Sequence, residues 1–216
     1  MHISDLKSIK MNEALAYTLG LIFPLYKQII LKDKEYIVGS INHNYGKISQ
    51  DELNEHFKKV NSLLSNYMGT SGPEIKTNKT PQYKISSKLG FSILVENTGT
   101  EEIICKNILK SKVQEIVNSS DSIKKEFIKG CFDGRSSWDT TAHYLSIDVD
   151  RDYDKQELIE NIIKSVEIDI NVNRRDINHK KNDQIRIKQN SLKVFYNKIG
   201  LYSTYRMNLI KNAMNL

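Results

Sequence analysis

Asp133, Arg135, Asp139, Asp148 and Asp150 bring opposite charges together within eighteen residues of this 216-residue chain. They follow an apolar helical pattern, Phe127-Ile-Lys-Gly-Cys-Phe132, which runs into small residues. A helix C-terminus carries unsatisfied carbonyls and partial negative charge, so it suits cations better than added carboxylates. Asp133 and Asp139 on either side of Arg135 at such an end call for a metal ion, a phosphate or a tight salt bridge. Asp148 and Asp150 stand two apart in an alternating pattern from His143 to Asp150, and so share one face of a strand. The plain alternative is a helix-to-strand turn in water, with Asp148 and Asp150 on an edge strand beside Arg151.

A second constellation is basic. Arg174, Arg175, Lys180, Lys181, Arg186 and Lys188 lie within fifteen residues against Asp176 and Asp183. Flanked by alternating strands, such a run places Arg on base edges and Lys on phosphates of a duplex. Its plain reading is a solvated hairpin. The net charge of +6 and pI near 9.1 permit a nucleic-acid partner without requiring one.

Other chemistries find little support. His2, His43, His56 and His179 lack ligand spacing; His143 is held back only because it falls between Asp139 and Asp148. There is no glycine-rich phosphate loop, and Ser136-Ser137 lacks the glycine-flanked elbow of serine hydrolases. Trp138 offers a ring to stack on a base, or a plug for the core. Cys105 and Cys131 stand far apart, which speaks against a disulfide framework or zinc site and for an intracellular setting. The N-terminus has no signal-peptide core. The longest uncharged run, Ala14 to Tyr26, covers 13 residues and ends through Pro24, too short to span a bilayer.

The elements that must position these residues are read from periodicity. A helix is expected over 8–23, stopped by Pro24, then a hairpin of strands 26–31 and 35–41. Ser49 and Glu52 form a capping box opening a helix over 50–67. Strands at 74–96 and a helix at 101–118 complete the first half. The second half has a helix from Asp121 or Ser122 to about 132, strand 143–150, helix 154–166, strands 168–173 and 184–188, and helices 191–199 and 204–213. Each half reads αββαββα, so the expected class is α/β (α+β): two pseudo-symmetric repeats, 1–120 and 121–216, with antiparallel sheets covered by helices on one face.

Thr18-Leu-Gly-Leu-Ile-Phe-Pro-Leu-Tyr26, Ile128-Lys-Gly-Cys-Phe-Asp-Gly-Arg-Ser136 and the strand-helix-glycine run Gln184 to Gly200 are the residues on which a family resemblance rests. Through them the chain resembles the LAGLIDADG homing endonucleases in their monomeric, two-repeat form. The likeness covers nearly the whole chain in element order and is more specific in the second half. It implies a saddle of sheets seated on double-stranded DNA. It also implies phosphodiester hydrolysis by divalent cations, held by one acid near the end of each central helix. Those two positions are Leu25 and Arg135 here: one cannot ligate a metal, and the other repels it and favours phosphate.

Two expectations follow from the resemblance. In the first, the carboxylates have moved: Asp133, Asp139 and Asp148 hold Mg²⁺, Lys188 polarises the phosphate, and the protein is a sequence-specific endonuclease of homing or restriction type. A site in one half alone cuts one strand, so a homodimer would be needed for both; otherwise a monomer suffices. In the second, the chemistry is lost and a DNA-binding or regulatory module remains. In both, Arg135, Arg174, Arg175, Lys180, Lys181 and Arg186 face the DNA.

Overall fold

A computed structural model describes residues 2–44, 48–65, 69–79, 85–97, 99–139, 142, 144–176 and 178–214. After a 3₁₀ turn at Ile3–Lys7, Asn12 accepts from the Leu15 amide and opens α1, Glu13–Ile22. The helix expected from residue 8 therefore starts later, because an Asn side chain ahead of an apolar run satisfies an orphan amide and fixes the start. β1 (Lys27–Leu31) and β2 (Lys34–Asn44) form the expected hairpin, turned through Lys32 and Asp33 at positive φ. The Ser49–Glu52 capping box is present and opens α2, Gln50–Leu64. β3 (Gly69–Thr70), β4 (Glu74–Lys79), β5 (Ile85–Glu96) and α3 (Glu102–Val117) complete the first half. The strand pattern at Tyr83 and Lys84 lies outside the described residues.

The second half runs through α4 (Asp121–Arg135), β6 (Ser136–Asp139), β7 (Tyr144–Val149), α5 (Tyr153–Lys164), β8 (Ile170–Asn173), β9 (Asp183–Ile187), α6 (Leu192–Lys198) and α7 (Thr204–Ala213). The sheets share one antiparallel order. The first runs β1-β2-β5, with β3 and β4 pairing successive stretches of β5 at the far edge; the second runs β6-β7-β9-β8. Both put the element that leaves the central helix at one edge.

α1 and α4 pack against each other at the centre. A Cβ at Gly20 would lie 2.1 Å from the Phe127 carbonyl oxygen, and one at Gly130 would lie 2.1 Å from that of Tyr17. Only hydrogen side chains allow the two backbones this close. Leu15, Leu19, Leu21, Ile22, Phe127, Ile128, Cys131 and Phe132 carry the core outward from this contact under both sheets. The last helix of each half crosses over. α3 packs on α5, with Lys110 2.6 Å from Asp154, while α7 packs on α2.

Candidate nucleic-acid interface

The stretch around Asp133 is not the expected turn. Phe132, Asp133, Gly134 and Arg135 are the last turn of α4, and Ser136 enters β6 directly. Asp133 is fully buried. Its Oδ2 accepts from the Tyr17 hydroxyl at 3.0 Å and the Tyr202 amide at 2.9 Å, and its Oδ1 from the Ser203 amide at 3.1 Å. Arg206, also buried, donates to the Asp133 carbonyl and, at 3.0 Å, to that of Asn42. Asp133 thus ties α4 to α1 and to the start of α7, with both oxygens committed.

The other carboxylates do not join it. Asp139 and Tyr144 are register partners at one end of the β6–β7 pair. Asp148 is four residues further along β7, about 13 Å at the rise of a strand. Asp139 accepts from the Ala142 amide at 2.7 Å, and Asp148 from the Gln184 amide nitrogen at 3.0 Å. Asp150 lies beyond β7, paired with the buried Lys155, rather than beside Asp148 on a strand face. Lys188 is exposed just past β9, four residues from the Gln184 that touches Asp148. His143 lies outside the described residues. Among the described residues no three His, Cys, Asp or Glu side chains are placed to hold a metal. The expected Asp133–Asp139–Asp148 ligand set is therefore not assembled among the described residues.

At the two central-helix ends, Arg135 takes the middle of the molecule. Its Nη2 donates to the Leu25 carbonyl at 2.9 Å, joining the ends of the two repeats, while its Nε is buried without a hydrogen-bond partner among the described residues. Burial lowers its pKa and the nearby Asp148 carboxylate opposes that shift; a guanidinium remains charged regardless. The cleft beside it encloses about 620 Å³ and is lined by Asn42, Ser136, Ser137, Trp138, Asp148 and Tyr205 among others. The matching residue in the first repeat is Leu25, and beside it the Lys155 ammonium, paired with Asp150, lies 5.1 Å from the Phe23 ring centroid and 5.0 Å from that of Tyr26.

Strand alternation settles the face of the second sheet. Leu145, Ile147, Val149, Ile185 and Ile187 point into the core. Ser137, Asp139, Tyr144, Asp148, Gln184, Arg186, Asn171 and Asn173 occupy the opposite phase and retain exposure. Of the expected basic residues, Arg186 stands on this face. Arg175, Lys180 and Lys181 lie in the β8–β9 connection, which Arg151 holds by donating to the His179 and Lys181 carbonyls. Arg174 turns away: its guanidinium reaches Gln156 at 3.3 Å and Glu160 at 3.6 Å on α5. Tyr144, Asn171, Asn173 and Gln184 share this face with Arg186, as the period-two pattern of these strands implies, although charge alone singles out none of them.

Two halves of one element order, joined through a glycine-mediated helix pair and presenting two sheet faces, define a LAGLIDADG-type fold. No protein-family model and no curated protein matches the chain. Solved structures do. The homing endonuclease I-DmoI in complex with DNA and Ca has a TM-score of 0.52 at 13% identity, over 93% of this chain and 97% of that one. Full-length DUF199/WhiA from Thermatoga maritima has a TM-score of 0.56 at 14% identity, over 99% of this chain and 64% of that one. The N-terminal LAGLIDADG domain of DUF199/WhiA has a TM-score of 0.51 at 15% identity, over 92% of this chain and 89% of that one. These likenesses show the fold, the one expected from the residues of the two central helices. Among the described residues no helix is long and apolar enough to cross a membrane.

Proposed function

We propose that this protein binds double-stranded DNA as a monomer through its sheet faces, gripping the backbone at the centre with Arg135 instead of a metal ion. The observation that carries this reading is the Arg135–Leu25 contact: both positions where the resemblance calls for metal-binding acids are filled, and the residues filling them are bonded to each other. A guanidinium there supplies positive charge toward phosphate without a coordinated ion. Asn171, Asn173 and Arg186 supply donors and acceptors for base edges, and Arg175, Lys180 and Lys181 supply phosphate contacts at the rim.

Duplex binding measured across a salt series tests this. The wild type is expected to lose affinity steeply as salt rises, equally with and without a chelator. Arg135→Ala, checked for an unchanged melting profile, is expected to reduce the log–log slope by about 0.9, one phosphate contact. Absence of duplex binding at low salt sinks the DNA reading. Cutting of mixed-sequence DNA with Mg²⁺ or Mn²⁺ that disappears in Asp139→Asn or Asp148→Asn replaces it with the endonuclease reading.

A further inference from the structure

Arg186 is held more firmly than a surface arginine needs to be. Its Nε and Nη2 both donate to the Gln184 side-chain oxygen, at 3.3 and 3.0 Å. The Gln184 amide nitrogen in turn donates to Asp148 at 3.0 Å. An ionised carboxylate only accepts, so Asp148 fixes which way round the Gln184 amide sits, and the oxygen must face Arg186. The guanidinium lies over the Tyr144 ring, 4.5 Å from its centroid. Both restraints act on one side of the group. The Nε–Nη2 edge is spent on Gln184, and the Tyr144 ring covers one face. One N–H of Nη1 and the second N–H of Nη2 run parallel at the far end, meet no hydrogen-bond partner among the described residues, and belong to the outward phase of β9.

Two parallel donors at that spacing match two adjacent acceptors on one base edge, the O6 and N7 atoms of guanine in the major groove; adenine offers a donor beside its N7 and would be rejected. Holding the guanidinium before DNA arrives removes the entropy of ordering a long side chain on binding. We propose that Arg186 reads a single guanine by an end-on bidentate contact, with Gln184 and Asp148 as positioning residues and Tyr144 as the platform. This rests on the DNA-binding reading and assigns it one G·C pair. It also gives Asp148 a role other than metal ligation.

The test is enrichment of duplexes from a randomised pool by the full chain and by Arg186→Lys, which keeps the charge but loses the planar fork. The wild-type motif is expected to contain one fixed G·C pair whose preference drops at least tenfold in Arg186→Lys, while the other motif positions and the salt slope stay unchanged. Replacing that guanine by 7-deazaguanine, which lacks the N7 acceptor, is expected to weaken wild-type binding and leave Arg186→Lys unaffected. Gln184→Leu, with Arg186 intact, is expected to relax the same position alone. A wild-type motif without a fixed guanine, or a guanine preference that survives Arg186→Lys, overturns the assignment while duplex binding stands. Failure to enrich any duplex overturns the assignment and the DNA-binding reading together.

Discussion

His56 sits 3.8 Å from the Asp133 carboxylate, yet neither of its ring nitrogens has a hydrogen-bond partner among the described residues. Burial lowers its pKa to about 4; the pull of Asp133 opposes this, and the charges of Arg206 and Lys59 add to it. His56 is therefore neutral at pH 7, and the contact is not an ion pair. An unfolded histidine titrates near pH 6.5. Between the two values the unfolded chain binds a proton that the folded chain refuses, so stability present above pH 6.5 is lost as pH falls toward 4. The linkage amounts to about 1.4 kcal/mol per unit, or roughly 3 kcal/mol over the window. His43, lowered to about 2 by burial and by Arg206 and His56, extends the loss to lower pH. Denaturant melts from pH 7 to 4 are expected to show His56→Leu losing about 3 kcal/mol less than the wild type; parallel losses would exclude His56 as a cause. At this scale only local features were legible. The Ser49–Glu52 box closes over a separation of three residues and is visible in the chain, whereas Asp133 finds Tyr17 at 116 residues' separation and Tyr202 at 69. Charge and spacing made Asp133 a plausible ligand; only its distant partners reveal a buried tie.

Gly130 at the α1–α4 contact shows what elements demand of composition. Gly and Asp are poor helix formers, so Asp133-Gly134 reads as a break. α4 nevertheless runs through them: Asp133 is held by Tyr17, Tyr202 and Ser203, and a small residue suits 134, where a Cβ would press on Leu21 at 3.3 Å. The packing overrides the propensity. Gly130→Ala forces its new methyl group into the Tyr17 carbonyl, a backbone atom that cannot swing aside. The expected cost is about 3 kcal/mol, the upper end for overpacking, and thermal melting is expected to show a drop on the order of 10 °C. An unchanged midpoint would mean the helices separate more easily than this contact implies. α7, by contrast, was legible to its ends at Thr204–Ala213, since its boundaries are set by local pattern and by the Ser203 cap rather than by a neighbour.

For the molecule as a whole, the repeated order of elements was legible, and through it the fold. The strand order within each sheet and the crossing of α3 and α7 onto the opposite halves were not, because they depend on contacts between residues remote in sequence. The glycine contact between α1 and α4 has one more consequence, for the partner instead of the protein. Two helices that touch backbone to backbone at Gly20 and Gly130 have no side chain to yield at that point, so the two sheets are expected to hold a fixed angle. A duplex bound across both, as proposed above, is expected to adopt the curvature it meets, and its bending stiffness varies with base sequence at positions no side chain touches. Energy transfer between dyes at the two ends of a bound duplex is expected to report shortening relative to free DNA, and central pyrimidine–purine steps are expected to tighten binding. Straight bound DNA would mean that the sheets yield and the helix pair acts as a hinge. With bent DNA, the Gly20–Gly130 contact sets part of the specificity through the stiffness of DNA it never touches.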